Sequence, residues 1–92
     1  MTYLIIEHFH SGKLKDMYER FEKKGRMMPE GVVYINSWID MEVKTCYQVM
    51  ESESEEKLKE WIKNWDDLVD FEIIPVITSA QAKAKVLGNL NK

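Results

Sequence analysis

Apolar residues recur at two different spacings along the chain, and the spacing predicts which segments form strands and which form helices. Residues 3–9 are β-branched and aromatic and too few for a helix, so they predict a first strand that ends before Ser11-Gly12. The next segment predicts an amphipathic helix that starts near Lys13 and stops near Gly25. Its apolar residues have the i, i+3, i+4, i+7 spacing of such a helix: Leu14, Met17, Tyr18 and Phe21.

The middle of the chain predicts a β-hairpin. Residues 32–40 alternate between two sets of side chains, and residues 45–51 have the composition of a returning strand. The connection, residues 41–44, contains neither Asn-Gly nor Asp-Gly, the usual signals of a two-residue hairpin turn. The pairing of the two strands is therefore open by one residue, and a shift of one residue would exchange their faces.

The last third of the chain predicts a second helix, a fourth strand and a short final helix. Ser52 and Glu55 have the spacing of a capping box at the start of the second helix. Residues 71–78 predict a strand, and Pro75 favours either an edge position or a bulge for it. Ser79 is the predicted cap of a final helix over about residues 79–88. The second helix buries a predicted core stripe made of Leu58, Trp61, Ile62 and Trp65.

The order strand–helix–strand–strand–helix–strand predicts an α+β fold of the ferredoxin-like βαββαβ type. In that fold a four-stranded antiparallel sheet carries both long helices on one face, here with a short C-terminal helix added. Its 92 residues predict a single domain, residues 1–92. The other sheet face would leave aromatic side chains uncovered, so the sequence predicts a homodimer in which the open faces of two copies meet.

Composition and charge narrow the classes of partner. A net charge of −3 opposes non-specific binding to nucleic acid or to an anionic membrane. Cys46 is the sole cysteine, so an internal disulfide is excluded and a reducing compartment is indicated. The start of the chain lacks the features of a signal peptide, and no segment reaches the ~20 apolar residues of a membrane span. We therefore expect a cytoplasmic protein.

A set of short motifs extends over nearly the whole chain, from residue 3 to about residue 82. They are Ile6-Glu7-His8-Phe9, Arg20-Phe21, Gly25-Arg26, Pro29-Glu30-Gly31, Ser37-Trp38, Cys46-Tyr47-Gln48, Met50-Glu51, Trp61 with Trp65 and Leu68, Phe71-Glu72 and Pro75-Val76. In these motifs the chain resembles a small uncharacterised domain family, a domain of unknown function among the dimeric α+β barrel proteins. The resemblance implies the ferredoxin-like fold and a sheet-to-sheet dimer, and it implies no particular reaction.

The predicted pocket lies on the open sheet face. If Val33, Ile35 and Ile39 are covered by the helices, their alternating neighbours face outward. If Trp38 also pairs opposite Gln48, the returning strand adds three more residues to that face. The predicted ligand-binding residues are Tyr34, Asn36, Trp38, Cys46, Gln48, Met50 and, on the last strand, Glu72.

The first strand contributes either Glu7 or His8 to this pocket, because neighbouring residues of a strand point to opposite faces. We favour His8, since Tyr3, Ile5 and Phe9 make the better core row. Its imidazole is then the candidate catalytic base.

Three functions are compatible with these residues. The first is a module that binds a small hydrophobic or aromatic molecule between the two sheets. The second is a cofactor-independent cyclase, isomerase or monooxygenase in which His8 is the base and Tyr34, Asn36 or Gln48 orients an oxygen. The third is a dimer with a purely structural role. We expect no cofactor and no metal, because His8 and His10 have no further ligand placed with them, and we expect Cys46 to be a buried, unreactive thiol.

Overall fold

The alternating and helical spacings produce the predicted element order. The computed structural model describes residues 1–90 and contains four strands and three helices. They are β1 (Thr2–Phe9), α1 (Leu14–Lys24), β2 (Val32–Ile39), β3 (Thr45–Ser52), α2 (Glu55–Ile62), β4 (Val69–Val76) and α3 (Ser79–Leu90). The fourth strand begins two residues earlier than the predicted range of 71–78.

The sheet has the strand order β2-β3-β1-β4, and all neighbouring strands are antiparallel. This is the ferredoxin-like α+β arrangement that the sequence predicts, with β1 and β3 in the centre. Helices α1 and α2 both contribute to one hydrophobic core against a single sheet face: Met17 comes from α1, Leu58 and Trp61 from α2. Ile5, Met50, Leu58 and Val69 are fully buried in it.

A β-bulge in β2 sets which side chains face that core. The register shifts between Tyr34 and Asn36, so Ile35 is the additional residue without a partner. Beyond it Trp38 pairs with Tyr47, and Gln48 pairs with Ser37. The predicted pairing of Trp38 with Gln48 is therefore wrong by one residue.

This single residue moves one row of predicted site residues to the other side of the sheet. Cys46, Gln48 and Met50 are buried beneath the helices, and Tyr34 pairs with Met50 on the same covered face. Val33 and Ile35, which we expected to be covered, are 59% and 52% exposed. The predicted sheet face is therefore wrong for Val33, Ile35, Tyr34, Cys46, Gln48 and Met50. It is correct for Asn36, Trp38 and Ile39.

The helix caps also differ from the predicted ones. The α2 N-cap is Ser54, whose side chain accepts from the Lys57 N–H, because Ser52 is still the last residue of β3. The hydroxyl of Ser52 instead donates to the Ser54 carbonyl at 2.8 Å. At α3 the reciprocal capping box joins Thr78 and Gln81, so Ser79 is not the cap. Within the described residues, no helix is both long and apolar enough to cross a membrane.

The hairpin connection is organised by a carboxylate instead of an Asn-Gly turn. The side chain of Asp40 accepts hydrogen bonds from the backbone N–H groups of Glu42, Lys44 and Thr45. These bonds favour the ionised form and lower the pKa of Asp40. Val43 takes a positive φ of 58° in this turn. Turn and bulge together determine the β2–β3 register.

Candidate functional site

A cavity of about 220 Å³ lies between the covered sheet face and helices α1 and α2. Strands β1, β2 and β3 form its floor. Helix α1, the last turn of α2 and the segment that follows α2 form its roof, and the loop after α1 lies along one side. The lining residues are Glu7, Phe9, Met17, Tyr18, Phe21, Arg26, Ser37, Ile39, Cys46, Gln48, Trp61 and Trp65. Most of this surface is aromatic or aliphatic, as is typical of small-molecule pockets.

Two indole rings hold the loop that carries Arg26. The Nε1–H groups of Trp61 and Trp65 donate to the same Arg26 carbonyl oxygen, at 2.8 Å and 3.1 Å. Trp61 also makes an edge-to-face contact with Phe71, at 5.5 Å between ring centres. The backbone position of this loop thus depends on side chains that also form the cavity wall.

The guanidinium of Arg26 lies over aromatic rings. Its Cζ atom is 3.7 Å from the centre of the Tyr34 ring and 5.0 Å from that of Phe21, which are cation–π distances. Among the described residues, no carboxylate lies within ion-pair distance of this guanidinium. The rings therefore fix a positive charge at the cavity without neutralising it.

Glu7 places a carboxyl group in the floor of the cavity. The residue is only 8% exposed, because it belongs to the core-facing row of β1 with Tyr3 and Ile5. Burial raises the pKa of Glu7 to about 7, although the positive charge of Arg26 opposes this shift. Within the described residues, its carboxyl oxygens have no hydrogen-bond partner from the protein. Glu7 is thus a buried acid that titrates near neutral pH.

Cys46 lies directly opposite Glu7 in the strand register. Burial, and then the neighbouring Glu7, raise the pKa of the thiol to about 12, with Arg26 acting in the opposite direction. A thiol with so high a pKa stays protonated at neutral pH and is a poor nucleophile. Burial likewise raises the pKa of Tyr18, with smaller contributions from Cys46 and Glu7. Cys46 and Tyr18 therefore serve as neutral walls of the cavity.

Comparison with known proteins identifies the family. A family model described as a domain of unknown function, DUF3303, matches residues 1–90. The chain belongs to the DUF3303 family. This match confirms the resemblance to a small domain family of unknown function that the sequence motifs indicate.

A search of curated proteins found no match. Among solved structures, the chain is similar to the crystal structure of protein Atu4242 from Agrobacterium tumefaciens, with 12% identity and a TM-score of 0.47. The similarity covers 86% of this chain and 96% of that one.

The predicted site residues of the DUF3303 domain divide between the two faces of its sheet. On the covered face, Cys46 and Gln48 line the cavity, and Gln48 donates to the sulfur of Met50 at 3.1 Å. Tyr34 is half-buried beneath Arg26, and its hydroxyl shares a hydrogen bond of 2.7 Å with Ser37. The fold therefore brings these residues together below the helices instead of on the open face.

The remaining predicted residues lie on the open face. Nε2 of His8 is 2.6 Å from a carboxylate oxygen of Glu72, and both side chains are about half exposed. Trp38 is 57% exposed, and Asn36 accepts a hydrogen bond from the Ser37 N–H. The prediction that His8, not Glu7, faces away from the core is correct in its strand parity. The cavity, however, is on the side of Glu7.

The sequence analysis left Glu7 as the less favoured alternative to His8, and it did not place Arg26 in the site. For Glu7 a signal was present, because a carboxyl group within the row Tyr3, Ile5 and Phe9 has to be buried if that row is the core. For Arg26 no signal was present, since its position depends on two indole groups that lie more than thirty residues away in the chain.

Proposed function

We propose that this domain binds one small, largely apolar or aromatic molecule in the cavity between its helices and the covered sheet face. The observation that carries the proposal is an aromatic-walled cavity whose floor holds a buried carboxyl group without a protein partner. Among the described residues no fully buried side-chain oxygen lacks a partner, so the Glu7 oxygens open onto the cavity, where a ligand group can donate to them. The proposed pocket thus lies on the covered face of the sheet, whereas the sequence predicted a pocket on the open face between two copies.

The dimensions and polar groups restrict the ligand. Ligand pockets for drug-sized molecules enclose about 300–1,000 Å³, and this cavity of about 220 Å³ is smaller. It therefore suits a compound with a single ring. A hydroxyl or similar donor on the ring would bond to Glu7, and an electronegative oxygen would be attracted by Arg26.

Phenol and toluene test this proposal, because they have the same shape and differ in one hydroxyl group. We expect both to shift the indole N–H resonances of Trp61 and Trp65 in NMR titrations. Glu7→Leu should change the phenol-to-toluene affinity ratio about tenfold in favour of toluene, the effect of one hydrogen bond. Glu22→Gln, which alters an exposed carboxyl group on α1, serves as the control and should leave the ratio unchanged.

If neither compound shifts the indole resonances at millimolar concentration, the proposal is wrong. An unchanged affinity ratio in Glu7→Leu would also contradict the assigned role of Glu7, even if both compounds bind.

We also propose that two copies of the chain associate through the open sheet face. Exposed apolar side chains are concentrated on β2 and continue onto β3 and β4, a composition typical of an interface and unusual for a free surface. The most exposed of them are Val33, Ile35, Trp38, Tyr47 and Ile74. A second copy of the same face offers matching apolar surface, as expected for a two-fold dimer.

Trp38→Lys should weaken this dimer by about tenfold or more, because it removes an aromatic contact and places a charge in the interface. Sedimentation velocity over a concentration series measures the dissociation constant. Met41→Lys introduces the same charge on an exposed residue of the hairpin loop and should leave the constant unchanged. The proposal would be wrong if the wild-type protein were still monomeric at about 100 micromolar, where even a weak interface forms dimers. An equal effect of the two substitutions would also contradict it.

A further inference from the structure

We infer that the cavity catalyses proton transfer on its ligand, with Glu7 as the base and the Arg26 guanidinium stabilising negative charge on a ligand oxygen. This inference rests on the proposed binding function, because the ligand must first occupy the cavity. The substrate class is a small ring compound with an acidic C–H bond next to a carbonyl group.

The position of Glu7 suits a general base. It lies in the cavity floor between Cys46 and Phe71 of the neighbouring strands, and most of the cavity surface is aromatic or aliphatic. A carboxylate that is poorly solvated and unpaired accepts a proton more readily than one in water. A pKa of about 7 then leaves Glu7 ionised in part at neutral pH and basic enough for proton abstraction.

Arg26 supplies the second requirement, a fixed positive charge. Its guanidinium is held by the rings of Tyr34 and Phe21, and its backbone by the indoles of Trp61 and Trp65. Since no carboxylate among the described residues forms an ion pair with it, its N–H donors are available to a ligand. Such preorganised charge stabilises an oxyanion without reorganisation during the reaction.

This proton transfer requires neither an oxidant nor a cofactor. The Glu7 carboxylate removes a proton from the carbon beside the carbonyl, and the electron pair of that C–H bond forms a carbon–carbon double bond. The carbonyl π pair moves to the oxygen, which becomes an enolate beside Arg26. Protonated Glu7 then returns its proton to the same carbon or, in a conjugated enolate, to the far carbon. The second outcome isomerises the double bond.

Cyclohexanone in deuterium oxide tests the inference, because its α-hydrogens exchange for deuterium only through the enolate or enol. We expect the wild-type domain to accelerate this exchange, as measured by proton NMR, and Glu7→Gln to reduce the accelerated rate by about 10²-fold or more. Arg26→Met keeps an apolar stem but removes the charge, and it should reduce the rate about 10²-fold. The wild-type rate should rise with pH up to about pH 7 as Glu7 ionises.

Binding is measured in the same samples from the indole resonances of Trp61 and Trp65. Cyclohexanone should exchange at the wild-type rate with Glu22→Gln. Lysine amines also catalyse this exchange, and Glu7→Gln retains every lysine. The difference in rate between wild type and Glu7→Gln therefore excludes the lysine contribution. If cyclohexanone binds but exchanges equally fast with wild type and Glu7→Gln, proton transfer is overturned and the binding proposal stands. If cyclohexanone, phenol and toluene all fail to bind, both proposals are wrong.

Discussion

Replacing Trp61 with alanine is expected to lower the free energy of unfolding by about 3–5 kcal/mol, the usual cost of removing a buried Trp side chain. Trp61 is 3% exposed and belongs to the core that joins α2 to the sheet. The substitution removes its edge-to-face contact with Phe71 and its hydrogen bond to the Arg26 carbonyl. Chemical denaturation followed by circular dichroism measures the change.

Trp61→Phe separates the packing from the hydrogen bond. The phenyl ring retains much of the buried surface, and the Arg26 carbonyl keeps its bond from Trp65. The expected cost is therefore smaller, about 1–2 kcal/mol. Glu60→Ala on the exposed side of α2 is the control and should change stability by less than about 0.5 kcal/mol. A Trp61→Ala loss as small as that of the control would show that the indole does not hold the loop.

The element order was predictable because the helices have a clear period and the strands a clear composition. The stripe of Met17 with Leu14 and Phe21 repeats at helical spacing, and β1 is a short run of β-branched and aromatic residues. Once strands and helices alternate in the order βαββαβ, chain connectivity leaves few arrangements of the sheet. This is why the fold followed from the pattern alone.

The β2–β3 register was not predictable because it depends on one additional residue. Ile35 is a β-branched residue that suits any strand position, so nothing in its identity marks the bulge. The bulge lets Val32 and Ile39 both face the helices although Ile39 lies seven positions after Val32, an odd offset that would place them on opposite faces of a regular strand. Strict alternation cannot satisfy both, and it therefore assigns part of the hairpin to the wrong face.

The candidate site was missed for a related reason. The parity of β1 correctly separated Glu7 from His8, but the pocket was expected on the open face, so His8 was favoured over Glu7. A buried acid breaks the usual rule for core positions, and such violations concentrate at functional sites. A predicted core row that contains Glu7 was therefore the most informative local feature of the sequence.

The same acid makes stability depend on pH. We expect the contribution of Glu7 to the free energy of unfolding to be about 3 kcal/mol smaller above pH 7 than at pH 4.5, because the Glu7 pKa is about 7 when folded and ordinarily 4.5. Between these values the folded state holds a proton that the unfolded chain has released. The stabilisation is thus complete below pH 4.5 and is lost as the pH rises through 7.

Glu7→Gln should remove this loss, since the amide does not titrate. The unfolding free energy of wild type minus that of Glu7→Gln should fall by about 3 kcal/mol from pH 4.5 to pH 8, as measured by denaturation at each pH. His10, whose pKa is raised by its hydrogen bond to Asp70, is present in both proteins and cancels in this difference. Arg26, the charged group that faces Glu7, is present in both proteins, and Cys46 stays protonated throughout the range because burial raises the pKa of its thiol to about 12. A difference that does not vary with pH would mean that Glu7 is solvated or paired when folded, and the cavity would then lack its base.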